Sequence, residues 1–131
     1  MRFNRYEIAF ACLAMAGAIS ANAQSLPTKE FACTKTTVDQ VEHRLQYGSG
    51  GPFILDSGSA ITFKNGGYQV SYDELGAVQR SRAGDPVFMC LIKIPKNCPA
   101  GDKRGRMYTT TNLRTLESWT MSDAEHGCGG A

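Results

Sequence analysis

Two histidines and one tryptophan are all that the 131 residues contain of those types, and several motifs are missing. There is no G-x-x-x-x-G-K-[ST] and no G-x-G-x-x-G after a strand-like run, so the sequence offers no phosphate cradle for a nucleotide. Asp56-Ser57-Gly58-Ser59-Ala60 lacks the flanking glycines of a nucleophile elbow, and only His43 and His126 are available as a base. His126 stands two residues from Cys128, but a metal site needs three or four convergent ligands. Asp73-Glu74, adjacent on a turn, gives no reason to expect a glycosidase pair. The sequence therefore predicts no metal, no cofactor and no catalytic residues. After residue 24 no apolar run approaches the roughly 20 residues of a membrane span.

The chain does have an export-type beginning. Arg2 and Arg5 precede an uncharged apolar stretch over residues 8–19, and Ala21-Asn22-Ala23 places small residues where a signal peptidase reads. The stretch is too short for a stable span. Cys12 lies inside it and is not preceded by a lipobox, and no twin arginine is present. These features predict a signal peptide over residues 1–23, a single small mature domain over residues 24–131, and a periplasmic or secreted location. Cleavage would remove Arg2, Arg5 and Glu7 and leave 108 residues with 12 Lys and Arg against 11 Asp and Glu, a net charge of +1. Net charge thus names no partner.

Cleavage would also remove Cys12, leaving Cys33, Cys90, Cys98 and Cys128. An even number in a small exported domain reads as two disulfides. Three pairings are possible; the preferred one joins Cys90 to Cys98 as a local staple and Cys33 to Cys128 across nearly the whole domain.

Hydrophobic periodicity predicts a mainly β, α+β fold: a small antiparallel sheet or barrel of five to six strands with one short N-terminal helix. Residues 24–29 read as a flexible leader. Val38, Val41 and Leu45 recur at i, i+3 and i+7, and Thr37 with Gln40 resembles a capping box, so residues 38–46 are predicted helical. The β-branched Thr36, Thr37 and Val38 make a strand the competing reading. Gly48 to Pro52 ends that element, and residues 53–55 read as a short strand. Around Lys64-Asn65-Gly66-Gly67, residues 60–63 and 68–72 alternate apolar and polar, which predicts a β-hairpin. Residues 87–94 form an apolar run ended by Pro95, and residues 95–102 a rigid loop. Residues 106–111 and 116–121 read as strands about a turn at 112–115. Tyr108 and Trp119 suit either core packing or a sugar-stacking surface.

The largest surface feature is a charge imbalance. Residues 80–114 hold eight basic side chains, Arg80, Arg82, Lys93, Lys96, Lys103, Arg104, Arg106 and Arg114, against Asp85 and Asp102 alone. One reading is a face for an anionic envelope component or an acidic protein, with Arg80, Arg82, Lys103, Arg104, Arg106 and Arg114 as the binding residues. The other is a solvated edge whose cations discourage strand pairing with other chains. Aromatics are not interleaved with these charges as nucleic-acid stacking requires.

Four short stretches, at residues 80–85, 94–99, 111–115 and 126–131, resemble small exported alphaproteobacterial proteins of unknown function, a resemblance that implies no activity. Ser57-Gly58-Ser59-Ala60 is similar to the serine-rich inhibitory loop of periplasmic C-type lysozyme inhibitors, which are also small, β-rich and tied by a terminal disulfide. That resemblance implies lysozyme inhibition. The chain departs from the Ser-Ala-Ser-Gly order of those inhibitors, and a basic face suits a cationic lysozyme poorly. The sequence thus points to a non-enzymatic exported binding protein, with lysozyme inhibition and a small envelope hydrolase using His43 or His126 as the alternatives.

Overall fold

The computed structural model describes residues 24–130; the predicted signal peptide lies outside them. Six strands close an antiparallel barrel: β1 (Cys33–His43), β2 (Ser59–Phe63), β3 (Tyr68–Ser71), β4 (Pro86–Lys93), β5 (Met107–Asn112) and β6 (Ser118–Ser122). Their order around the barrel is β1-β2-β3-β6-β5-β4, with β4 returning to β1. Two three-stranded meanders are thus joined through a connection that holds a short helix, α1 (Gly76–Gln79). No helix among the described residues is long and apolar enough to cross a membrane.

The predicted N-terminal helix is instead the long strand β1. Its first half pairs with β4 and its second half with β2. A bulge between Val38 and Gln40 inserts one extra residue opposite β2. The bulge shifts the side-chain alternation by one, so Val38 and Val41 both face the core three residues apart. That spacing imitates a helix. Leu45, the third member of the supposed helical stripe, is exposed beyond the strand end.

The barrel interior holds Val38, Ile61, Phe63, Val87, Met89, Leu91, Tyr108, Trp119 and Met121. Where β3 and β6 meet, their register consists of Val70 opposite Ser122 alone. A side chain reinforces this seam from inside. The fully buried Gln69 amide accepts from Trp119 Nε1 (2.7 Å), and its Nε2 donates to Thr110 Oγ1 (3.0 Å). Helix α1 lies against β1, β2 and β6 and drives Val78 into the core. Four residues make too short a helix to stand alone, so α1 is held by this burial rather than by intrinsic propensity.

The hairpin between β2 and β3 matches expectation. Gly66, at φ +85°, takes the left-handed position of its turn, and the Gly67 amide donates to Asn65 Oδ1 (3.1 Å). The other predicted strands, at residues 87–94, 106–111 and 116–121, are β4, β5 and β6 with ends shifted by a residue or two. Residues 53–55 form no strand; Phe53 makes a single bridge to Gln46. Residues 24–29 are not a loose leader. Pro27 is buried, Leu26 packs against the core, and Gln24 bonds to β1.

Both disulfides form, but with a different pairing from the one expected. Cys33 joins Cys90, and Cys98 joins Cys128. The register explains the first: Cys33 and Cys90 stand directly opposite on β1 and β4, with Cα atoms 4.0 Å apart. The stretch that carries Cys33, residues 33–37 of β1, is not assigned as a strand from the sequence, so that juxtaposition stays hidden. The second fastens the loop after β4 to the C-terminal tail.

Candidate functional site

The basic segment divides between the two ends of the barrel. Arg106 precedes β5 and Arg114 follows it, and six residues of strand separate the ends by about 20 Å. Arg80, Arg82 and Arg114 therefore belong to one end, and Lys103, Arg104 and Arg106 to the other. No single face unites all six.

At the α1 end two of the three arginines, Arg80 and Arg114, are occupied. Asp85 is nearly fully buried at the start of β4. Its carboxylate accepts from Arg114 Nε (2.6 Å) and Nη2 (2.9 Å), from Asn112 Nδ2 (2.8 Å) and from the Arg82 amide (2.9 Å). The Arg114 bonds are the main reason that its carboxyl stays well below the usual carboxylate range, against the opposing effect of burial. Arg114 also donates to the Arg80 carbonyl. Arg80 clasps Glu117 through Nε (3.1 Å) and Nη2 (2.5 Å), which raises the guanidinium pKa and lowers that of Glu117. Arg82 is exposed.

At the opposite end the picture is mixed. Arg104 is held bidentate on Asp102 (3.0 and 2.9 Å) and donates to the Gly130 carbonyl (3.0 Å). This knot, with the Cys98–Cys128 bond, fixes the loop and tail as one unit. Lys93, Lys96, Lys103 and Arg106 have no carboxylate within ion-pair distance among the described residues. Arg106 anchors by its backbone amide on Asp123 Oδ1 (3.0 Å), and its buried Nε lacks a partner among them. Burial pushes the Tyr108 hydroxyl pKa up, and the neighbouring Arg106 opposes that shift.

Three of these unpaired cations, Lys93, Lys96 and Arg106, border two clefts. The larger, about 700 Å³, is lined by Ile92, Ile94, Pro95 and Met107 together with Glu30, Lys93, Lys96 and Gly105. Glu30 is already engaged there, accepting from the Ile94 amide (2.8 Å). The smaller, about 210 Å³, lies between the starts of β3 and β5 and includes Leu26, Met89, Arg106, Tyr108 and Asp123. Arg106 is the one residue of the predicted six that lines either cleft.

Sequence reasoning overlooked the apolar wall. Its signal was present in the run at residues 87–94. Val87, Met89 and Leu91 fill the interior, so Phe88, Cys90 and Ile92 face outward by strand alternation. A strand apolar on both faces needs a cover on its outer side, and here that side is only partly covered.

The residues of the other readings are also placed. His43 Nδ1 is 3.3 Å from Glu74 Oε1 without hydrogen-bond alignment, and His126 is exposed. Ser59 is fully buried, its Oγ accepting from the Leu75 amide (2.8 Å) and Gln79 Nε2 (3.3 Å). Ser57 Oγ accepts from the Leu45 amide (3.0 Å). Gly58, at φ +112°, lets β2 begin there, since a Cβ would meet the Ser71 carbonyl at 2.2 Å. Tyr108 and Trp119 are both core residues. Among the described residues no three His, Cys, Asp or Glu side chains gather as metal ligands.

Compared with known protein families, curated proteins and solved structures, the chain finds no match.

Proposed function

We propose that the protein is an exported, non-enzymatic binding protein that takes an anionic partner at the end of the barrel opposite α1. The observation that carries this reading is the 700 Å³ cleft, in which an apolar wall of Ile92, Ile94, Pro95 and Met107 is bordered by Lys93 and Lys96. Such a cleft fits an anion attached to an apolar chain: the lysines meet the charge and the wall meets the hydrocarbon. Two disulfides stapling a small barrel support an oxidising, extracytoplasmic setting. The α1 end supports binding less well, because Arg80 and Arg114 already hold carboxylates.

The lysozyme-inhibitor reading gains little from Ser57 and Ser59, whose hydroxyls are engaged within the fold. A hydrolase reading has the His43–Glu74 contact, but both nearby serines are engaged and none of the clefts bordering the cations includes His43.

Calorimetric titration tests the proposal with dodecyl phosphate, inorganic phosphate and dodecanol as separate probes. Dodecyl phosphate is expected to bind at least about tenfold more tightly than either half, since each half forgoes a charge-assisted contact or its apolar burial. Equal, feeble heats for all three probes would overturn the proposal.

A further inference from the structure

The side chain of Gln24 is held in an unusual way for a residue at the edge of a fold. Its amide oxygen Oε1 accepts from the Lys35 backbone amide at 2.6 Å and from the Thr34 hydroxyl at 3.1 Å. Both donors belong to β1, which the barrel and the Cys33–Cys90 bond fix in place. Thr34 is nearly buried, and the segment just after Gln24 is docked through Leu26 and buried Pro27. Two preorganised donors on one carbonyl oxygen are the arrangement that stabilises negative charge developing there.

This matters because Gln24 is the residue that signal cleavage after Ala23 would leave at the amino terminus. We infer that the mature chain cyclises at Gln24 to pyroglutamate, with the Lys35 amide and Thr34 hydroxyl serving as the oxyanion donors. The inference rests on the export reading for its terminus. In the step, the neutral α-amino nitrogen attacks the side-chain carbon Cδ, and the carbonyl electron pair moves onto Oε1, where the two donors receive it. The pair then returns, the Cδ–Nε2 bond breaks, and ammonia leaves with the proton shed by the amine. A five-membered lactam results, with no oxidant, reductant or second substrate. Oε1 remains as the lactam oxygen, so the product keeps its acceptor for β1. The step needs the unprotonated amine, whose ordinary pKa is about 7.7 to 8.0, so its rate rises with pH across that range. The product carries no terminal charge and offers no free amine to aminopeptidases.

The test has two arms. In the first, the full chain is exported from a bacterial host and its intact mass and terminal sequence are read. The expected product begins at Gln24, lacks one ammonia and is refractory to stepwise terminal degradation. A stable free amine on Gln24 would overturn the cyclisation while leaving the cleavage reading intact; a terminus at another residue would overturn cleavage at Ala23 and remove the basis for cyclisation in the cell. In the second arm, a protease-removable tag is cut to leave Gln24 terminal, and ammonia loss is followed in the folded protein. The folded chain is expected to react at least about tenfold faster than the same chain unfolded in denaturant, a modest figure beside the loss of one enclosed oxyanion donor. Thr34→Val is expected to slow the folded protein severalfold, and Thr34→Ser to restore the rate. Near-ultraviolet dichroism of Trp119 confirms that each variant is folded. Equal rates in folded and unfolded chains would overturn the role of the donors.

Discussion

The two ends of the barrel carry similar basic residues and use them differently. At the α1 end, Arg80 and Arg114 are matched to Glu117 and Asp85, and the pairs tie α1, β4 and the β5–β6 turn together. At the far end, Arg104 is matched to Asp102, but Lys93, Lys96 and Arg106 stand beside clefts with no carboxylate partner among the described residues. Charge counting along the chain treats these groups alike. What separates them is whether the fold brings a carboxylate to each cation. Matched cations join elements of the structure, and unmatched ones beside an apolar wall are available to a ligand.

The largest expected effect concerns what holds the far end in shape. Replacing both Cys98 and Cys128 by alanine releases the loop–tail unit. On the chain-entropy model a loop closed over 30 residues contributes about 3 to 4 kcal/mol. Urea unfolding should show a loss of that size, together with weaker dodecyl phosphate binding. Unchanged binding by the folded double variant would mean that the cleft does not need its staple.

At the α1 end, Asp85→Ala leaves the Arg82 amide without its acceptor, reduces the Asn112 amide to its bond with Ser81 Oγ, and strands the Arg114 charge. We expect a loss of about 2 to 3 kcal/mol, since one end of the pair reaches solvent, with dodecyl phosphate affinity unchanged in the folded protein. The same site sets an acid limit. The Asp85 carboxyl pKa is lowered on folding, so its contribution is fully present above the unfolded value, near pH 4. The contribution is lost progressively as pH falls below that toward the folded value. Wild-type stability should therefore fall more steeply than that of Asp85→Ala below about pH 4, as equilibrium unfolding across that range would reveal.

Smaller still in stability, and opposite in consequence, is the joint change of Lys93 and Lys96 to alanine. Neither lysine has a carboxylate partner among the described residues, so the melting temperature should stay within about 2 °C of wild type, while dodecyl phosphate binding weakens by about tenfold, as calorimetry would measure. The least effect is expected for Arg82→Ala, an exposed residue that takes part through its backbone amide; thermal unfolding and binding should both remain unchanged.

Much of this arrangement was legible in the residues. Alternation about Asn65-Gly66 located the hairpin, the run ended by Pro95 located β4, and the even set of cysteines after residue 24 foretold two disulfides. The failure at β1 has a local origin. The bulge near Asp39 gives Val38 and Val41 a helical spacing within a strand, so residues 38–43 read as helix, and the preceding residues 33–37 carried no signal of their register against β4. Without that register, nothing in the sequence sets Cys33 opposite Cys90. The site was legible only in outline, because the pairing of Arg114 with Asp85 and of Arg80 with Glu117 joins residues 29 and 37 positions apart. The apolar wall was hidden for a related reason: a run such as residues 87–94 reveals burial but not which face remains open.

The proposed binding surface is formed by the unmatched lysines beside the apolar wall, Lys93 and Lys96, and not by the basic segment as a whole. An amide-resolved nuclear magnetic resonance titration with dodecyl phosphate at physiological salt tests it most directly. The account predicts saturable shifts at Ile92, Lys93, Ile94, Lys96 and Met107, with Arg80, Arg82 and Arg114 unmoved. Shifts centred on Arg80, Arg82 and Arg114, or no saturable shift at any residue, would contradict it.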